Sequence, residues 1–267
     1  VRKHFHASDL NQCKRRVLYS MRDPGGAGAS SSPEFLRDGH NHENIILTNL
    51  YNGLINDPEV KDLLGTPNVL AAGNESELKA RIMYKHNGEP TTIKIRAHYD
   101  GLLIFTREGE MDSDTFVIEC KAVKGEKYAK IRSGEMDKEW YGQTQMYLHI
   151  LNKTIGVTVA YIIVKNRETG LILTPIRIEL DSSYLNERHE VLIEIHKALL
   201  DKTMVDREHT RRTDSECKWC AFNQQCWQGT KSVEEPEIPE RKVRENANGK
   251  DNQKGMAVLR VRKAKQH

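Results

Sequence analysis

Apolar residues recur along the chain with two periods, one typical of strands and the other typical of helices. Alternation at every second residue, or a continuous apolar run, predicts strands at 77–84, 91–100, 115–121, 157–165 and 171–180. Spacings of three and four residues predict helices at 9–21, 34–54, 137–152 and 182–202. Polar or turn-rich segments predict loops at 22–33, 57–74 and 125–134 and a turn at 86–88. This order predicts an α/β fold with a central mixed β-sheet flanked by helices.

The strands at 91–100 and 115–121 are predicted to pair as a hairpin. Asp100 ends the first strand, and Glu119 and Lys121 lie two residues apart on the second, so both leave the same face. Pairing would place the two carboxylates together, which suits a divalent cation such as Mg²⁺ or Mn²⁺. Lys121 adds a positive charge for a phosphate or the attacking water. The alternative is a solvated hairpin edge whose charges protect against aggregation.

Two predicted helices carry further candidates for the same site. Gln143 and Tyr147 are four residues apart in the helix at 137–152 and so share one face. A buried amide needs a partner, although ordinary amphipathic packing also explains this pair. His42 and Glu43 lie just upstream of the apolar face of the helix at 34–54 and are candidates to turn toward the hairpin. His42 is preferred, since histidine is a frequent metal ligand. The alternative is a surface position, because acidic residues are favoured in a helix's first turns.

Composition limits where the protein acts and how it binds partners. The 267 residues are 37% hydrophobic and 30% charged, with a formal net charge of +3. No apolar run is long enough to span a membrane, and the N-terminus shows no signal-peptide core, so we expect a cytoplasmic protein without a membrane partner. The small net charge means that any nucleic-acid binding depends on local basic patches.

The cysteines form a pattern typical of metal or cluster ligands. Cys217, Cys220 and Cys226 fall within ten residues, and zinc and iron–sulfur sites both use thiolates. Such a group needs a fourth ligand, and the remaining cysteines are Cys13 and Cys120. Cys120 lies between the two candidate site residues of its strand, so its side chain is expected on the opposite face of the sheet. Cys13 is therefore the candidate for the fourth ligand.

These motifs together resemble the RecB-like iron–sulfur nucleases of the PD-(D/E)XK superfamily. That family includes AddB-type nuclease domains, the CRISPR-adaptation exonuclease (Cas-four) and related phage proteins. The resemblance covers roughly residues 5–228. It implies a restriction-endonuclease-like core, closed by an iron–sulfur subdomain, in a domain at 1–230. The remaining segment, 231–267, is rich in charge and contains two prolines, so we expect a flexible tail.

The resemblance also implies roles for individual residues. Asp100, Glu119 and the main-chain carbonyl of Cys120 would bind Mg²⁺ or Mn²⁺, while Lys121 would assist the attacking water. Gln143 and Tyr147 would position the substrate. A further metal ligand would come from His42 or Glu43, because Gly39 precedes His42 by three residues and Glu43 has the family spacing. A four-iron four-sulfur (4Fe-4S) cluster would be bound by Cys13, Cys217, Cys220 and Cys226.

The implied activity is that of a metal-dependent DNA nuclease. Hydrolysis of phosphodiester bonds would occur at single-stranded DNA or DNA ends, in the manner of an exonuclease. The family suggests a helicase or a CRISPR-adaptation complex as partner, and a phage-encoded origin is consistent with it. Two alternatives stay open: a non-catalytic DNA-binding subunit of such a complex, and a zinc-knotted interaction protein.

Overall fold

The structure is a computed structural model that describes residues 2–24, 33–59, 66–71, 77–106 and 113–228. This part of the chain has a mixed α/β fold with two β-sheets rather than a single central sheet. Among the described residues, no helix has both the length and the apolar character needed to cross a membrane. The tail predicted at 231–267 lies outside the described residues.

Eight strands and seven α-helices are described, together with a short 3₁₀ helix at Ala7–Asn11 that follows the first strand. The strands are β1 (Phe5–His6), β2 (Thr66–Ala71), β3 (Glu77–His86), β4 (Glu89–His98), β5 (Gly101–Thr106), β6 (Ser113–Val123), β7 (Val159–Asn166) and β8 (Ile176–Glu179). The helices are α1 (Lys14–Arg22), α2 (Pro33–Ile55), α3 (Gly125–Arg132), α4 (Lys138–Ile155), α5 (Ser182–Leu200), α6 (Ser215–Lys218) and α7 (Asn223–Trp227).

The two sheets differ in size and topology. The larger has the order β2-β5-β6-β7-β8, in which β6 and β7 are parallel and the other neighbours are antiparallel. The smaller has the order β1-β4-β3, with β1 parallel to β4. Parallel neighbours need a crossover connection, and α3 and α4 supply it between β6 and β7.

Helix α4 lies at the centre of the fold and contacts strands of both sheets. Asp137 caps its start by accepting a hydrogen bond from the backbone N–H of Trp140, and Gly156 ends it in the left-handed conformation. The buried amide of Gln145 joins the helix to the end of β8. Its Nε2 donates to the Glu179 carbonyl at 2.7 Å, and its Oε1 accepts from the Asp181 N–H at 2.8 Å. The polar atoms of this buried side chain are thus satisfied by backbone groups.

Helix α2 covers the opposite face of the larger sheet. Its buried residues Ile46 and Leu47 pack in a separate apolar cluster with residues of β5, β6 and β7. The side chain of Cys120 packs against this cluster, while neighbouring Val117 belongs to the main core on the α4 side. Alternate residues of β6 therefore face the two helix layers, as strand geometry requires.

The prediction that the strand at 91–100 pairs with the strand at 115–121 is wrong. The chain leaves the smaller sheet after β4 and enters the larger sheet as β5, so Tyr99 and Asp100 lie at the change of sheet. The strand that pairs with β6 is β5, not β4. Asp100 nevertheless lies next to β6, because it directly precedes the paired residue Gly101.

Four other predicted segments also differ. The helix expected at 9–21 is divided at Gln12 and Cys13, and Cys13 occupies the N-cap of α1. The loop expected at 125–134 contains α3, and the turn-rich segment at 57–74 contains β2. The strand expected at 171–180 is shorter, since only Ile176–Glu179 pairs regularly and Ile172 forms an isolated bridge with Lys165.

Candidate active site and cysteine cavity

The sheet register brings Asp100 next to the strand that carries Glu119 and Lys121. The residue after Asp100 pairs with Ile118 of β6. The Oδ2 atom of Asp100 accepts a hydrogen bond of 2.6 Å from the backbone N–H of Cys120. This bond fixes the aspartate carboxyl at the point where β6 presents its two charged side chains.

Glu119 is an almost completely buried carboxylic acid, with 1% of its surface exposed. Burial raises the pKa of Glu119 to about 8; the charge of Lys121 opposes this rise and that of Asp100 adds to it. One carboxyl oxygen accepts a hydrogen bond from Lys121 Nζ. The other, Oε2, is buried without a hydrogen-bond partner among the described residues. Because such an atom is costly to bury, this oxygen is well placed for a ligand.

A series of side-chain hydrogen bonds begins at Glu119 and continues through Lys121, Gln143 and Tyr147. Lys121 Nζ also donates to Gln143 Oε1 at 3.4 Å, and Gln143 Nε2 donates to the Tyr147 hydroxyl. Burial acts to lower the pKa of Lys121, but the charges of Glu119 and Asp100 outweigh it, so that pKa is raised. Burial raises the pKa of Tyr147 well above its usual range. Both side chains therefore keep their protons at neutral pH.

Glu43 and His42, both on helix α2, differ in the groups that their side chains contact. Burial raises the pKa of Glu43, with a further contribution from the charge of Asp100. His40 Nδ1 lies 3.3 Å from Glu43 Oε2. His42 instead directs Nε2 toward Asp38 Oδ1, at 3.6 Å, and its Nδ1 atom is buried with no hydrogen-bond partner in the described ranges. Glu43 thus acts electrostatically on the carboxylate pair, and His42 offers a ring nitrogen.

Asp100 and Glu119 are the candidate ligands that the β5–β6 register brings together. The charge of Asp100 adds to the raised pKa of Glu119, and burial is the main cause of the raised pKa of Asp100. Within the described part of the chain, neither His42 nor Glu43 joins them in a set of three donor atoms lying within 4.8 Å of one another. A Mg²⁺ site needs only one or two protein carboxylates, because water and phosphate oxygens fill the other positions.

The four cysteines predicted to bind a cluster line one cavity of about 840 Å³. In the described ranges, no three of their sulfur atoms lie within 4.8 Å of one another. A tetrahedral zinc ion with Zn–S bonds of about 2.3 Å would hold its sulfurs about 3.8 Å apart. Within the described ranges no three of these sulfurs are thus gathered at the spacing of one zinc ion, and thiolates serve as ligands of both zinc and 4Fe-4S clusters.

Helix α1 is joined to the C-terminal cysteine segment by two further contacts. Arg15 Nη1 donates to the Cys226 carbonyl at 3.4 Å and lies 3.9 Å from the Cys226 sulfur. The Tyr19 ring stacks on Phe222, with ring centroids 5.5 Å apart. The break before α1 places Cys13 at the helix N-terminus, next to the same cavity.

Sequence reasoning missed three residues that the structure brings to these two places. His40 lies beside Glu43, and the spacing of three residues within one helix was the available signal. Glu208 and His209 lie beside Cys13, far away in sequence. No local pattern links them to that cysteine, so only the tertiary structure reveals the grouping.

Comparison with solved structures finds matches at low sequence identity and low TM-score. The protein SSO0001 is 18% identical, with a TM-score of 0.47, and the match covers 85% of this chain and 86% of that one. An alkaline exonuclease from Laribacter hongkongensis is 12% identical, with a TM-score of 0.42 over 75% of this chain and 89% of that one. The same exonuclease with dAMP has a TM-score of 0.43 at 13% identity and the same coverage.

No protein-family model and no curated protein matches the chain. All three TM-scores are below 0.5, so these matches assign no function to the chain.

The raised pKa of Glu119 predicts a specific dependence of stability on pH. Below about pH 4.3, Glu119 is protonated in both the folded and the unfolded chain, so it has no effect on the pH dependence. Above this pH the unfolded chain loses the proton first, so Glu119 destabilises the fold progressively until its folded-state pKa of about 8 is passed. We expect metal-free wild-type protein to lose more stability than Glu119→Gln between pH 5 and 8.5.

Urea unfolding in EDTA at several pH values measures this difference. Glu187→Gln, at a side chain that is 72% exposed, is the matched control and should follow the wild type. If the free energy of unfolding changed with pH in the same way for wild type and Glu119→Gln, Glu119 would not hold its proton in the folded chain.

Proposed function

We propose that this protein is a metal-dependent nuclease that hydrolyses phosphodiester bonds in DNA. The observation that carries the proposal is the buried Glu119 carboxyl, which has one oxygen bonded to Lys121 and the other without a described partner. Next to it lies Asp100, held by a backbone hydrogen bond. Two carboxylates and an ammonium group close to the central strand of the larger sheet can bind a divalent cation and a phosphate together.

Asp100 and Glu119 are the proposed side-chain ligands of Mg²⁺ or Mn²⁺, with the carbonyl of Cys120 as a main-chain ligand. The unpartnered Oε2 atom of Glu119 supports this assignment. Either Glu43 or His42 would complete the protein ligands, and the charge coupling of Glu43 to Asp100 favours Glu43. When bound, the cation would supply activation of water and neutralisation of charge on the scissile phosphate.

Lys121 acts in this proposal as a charged hydrogen-bond donor and not as a general base. Despite burial, the charges of Glu119 and Asp100 raise its pKa, which favours the protonated amine at neutral pH. The ammonium group instead stabilises the negative charge that develops on the phosphate and orients the water. Gln143 holds this group in place from α4, and Tyr147 holds Gln143.

We propose single-stranded DNA or DNA ends as the substrate and exonuclease cleavage as the mode of action. Trp219 is 82% exposed, the most exposed large apolar side chain among the described residues, and Lys218 Nζ lies 5.2 Å from its ring centroid. An exposed aromatic ring beside a basic group is suited to stacking on an unpaired base near a phosphate. A helicase or CRISPR-adaptation complex is the proposed partner class, on the basis of the family resemblance.

We also propose that Cys13, Cys217, Cys220 and Cys226 bind a 4Fe-4S cluster. The four residues line one cavity, and in the described ranges no three of their sulfurs lie within 4.8 Å of one another. The cluster would join α1 to the C-terminal segment, which stabilises the fold by closing a very long loop. Its role here is structural, since it lies at a place separate from the carboxylate pair.

The nuclease proposal predicts a large loss of cleavage when Lys121 is neutralised. We expect Lys121→Met to lower the cleavage rate of end-labelled linear single-stranded DNA by about 10²–10⁴-fold, because a positioned charge in the transition state is lost. Lys85→Met, at an exposed position of the smaller sheet, is the matched control and should retain wild-type cleavage. The assay includes Mg²⁺, Mn²⁺ and EDTA.

A circular single-stranded substrate separates the two modes of cleavage. An exonuclease leaves the circle intact and degrades the linear strand. Equal cleavage by wild type and Lys121→Met, or no cleavage of any substrate with metal present, would remove the proposed mechanism.

The cluster proposal predicts iron in the isolated protein. Anaerobic purification should yield brown protein that contains iron and acid-labile sulfide, and Cys220→Ser should lose both. Colourless wild-type protein that contains zinc and no iron would contradict the cluster assignment.

A further inference from the structure

Cys13 lies in a second group of potential metal ligands, different from the four cysteines. A sulfur of Cys13, a carboxyl oxygen of Glu208 and a ring nitrogen of His209 all lie within 4.8 Å of one another. In the described ranges, this is the one group of three histidine, cysteine, aspartate or glutamate donor atoms at such a spacing. Cys13 comes from the start of α1, whereas Glu208 and His209 come from the segment between α5 and α6.

Two of the three donors are held in place by a group outside the trio. His209 Nε2 lies 3.1 Å from Glu216 Oε2, whereas Nδ1 lies 3.9 Å from Asp214 Oδ2, beyond hydrogen-bond distance, and is the ring nitrogen that we assign to the metal. Glu208 Oε2 accepts a hydrogen bond of 3.2 Å from the backbone N–H of Lys14. A carboxylate hydrogen-bonded to the far nitrogen of a histidine is a recurrent support of metal sites, because it fixes the ring and raises its basicity.

The segment that carries Glu208 and His209 is also joined to α1, which begins next to Cys13. Arg15 Nε donates to the Val205 carbonyl at 2.8 Å. Because Val205 is buried, this bond fixes the segment that leads into Glu208 and His209 against α1. The donors from the two segments are therefore held together by the fold itself.

The chemistry of the donors selects the metal class. Sulfur, imidazole nitrogen and carboxylate oxygen together are the ligand types of zinc, whereas Mg²⁺ and Ca²⁺ prefer oxygen alone. A thiolate and a carboxylate would neutralise the two charges of the ion. Three protein ligands leave a fourth position of the tetrahedron open to water.

We propose that Cys13, Glu208 and His209 form a Zn²⁺ site that competes with the iron–sulfur cluster for Cys13. One thiolate cannot serve both, so a chain that has assembled the cluster holds no zinc here. A chain without the cluster binds zinc and keeps α1 joined to the segment before α6. The proposal is independent of the nuclease activity, because it uses none of the residues of the carboxylate site.

Co²⁺ is the probe for this site, because Co²⁺–thiolate complexes absorb visible light and Zn²⁺ displaces Co²⁺. The full-length protein is purified in air, bound metal is removed with a chelator, the cysteines are reduced, and the protein is then titrated with Co²⁺. We expect one Co²⁺ per chain with thiolate-to-cobalt absorption that Zn²⁺ removes. Cys13→Ser should abolish the absorption, and His209→Gln should weaken Zn²⁺ binding by more than 10-fold. Glu216→Gln should weaken it by about 10–100-fold through loss of support to the ring.

Cys220→Ser separates the two metal sites. It should remove iron from anaerobically purified protein while leaving Zn²⁺ affinity at the wild-type value. Glu208→Gln is a second ligand variant, at an exposed side chain. It keeps the test informative if His209→Gln does not fold. Thermal unfolding in EDTA checks that each variant folds.

Two results would overturn the zinc site. One is Co²⁺ or Zn²⁺ binding that is lost in Cys220→Ser and unchanged in both His209→Gln and Glu208→Gln, which would place the ion among the cysteines. The other is the absence of thiolate absorption in correctly folded wild-type protein. Failure of the cluster proposal alone is distinguishable, since it appears as iron-free anaerobic protein.

Discussion

The charge of Glu119, buried between the larger sheet and α4, is the constraint on which the proposed site depends. A carboxylate in such a place is stable only if its charge is neutralised by a proton, by a cation or by hydrogen bonds. Lys121 supplies part of this compensation through its hydrogen bond to Glu119. The raised pKa of Glu119 indicates that the charge is not fully compensated. A bound divalent cation would complete it, so the same burial that destabilises the empty site would favour metal binding.

The architecture explains why these groups meet. The chain changes sheets at Asp100, and the β5–β6 register then sets this residue beside the end of β6. The crossover from β6 to β7 carries α4 across the same face, which brings Gln143 and Tyr147 to Lys121. Gln145, on the same helix, joins α4 to β8 and so fixes the position from which Gln143 acts.

Much of the site could be predicted from sequence because its residues follow local periodicity. Glu119 and Lys121 share a strand face, and Gln143 and Tyr147 share a helix face, so spacing alone groups each pair. The turn at Asn87 and Gly88, where both residues have positive φ, also follows from residue type.

Features set by tertiary contacts could not be predicted in this way. The strand β2 begins with Thr66 and Pro67, and proline is a turn signal except at the start or edge of a strand. The predicted strand at 91–100 ends at Asp100 and no strand is predicted at 101–106, so β5 and its pairing with β6 follow only from the tertiary structure. The grouping of Cys13 with Glu208 and His209 depends on how α1 packs, and no spacing in the chain encodes it.

Binding of Mn²⁺ to metal-stripped protein, followed by the loss of the free-ion electron paramagnetic resonance signal, tests the central claim most directly. One tight site per chain is predicted, with higher affinity at pH 8.5 than at pH 6.5, because the ion must displace the proton of Glu119. Glu119→Gln and Asp100→Asn should both abolish it, and Cys13→Ser should leave it intact. Wild-type protein that binds no Mn²⁺, or binding that survives both carboxylate substitutions, would contradict the account.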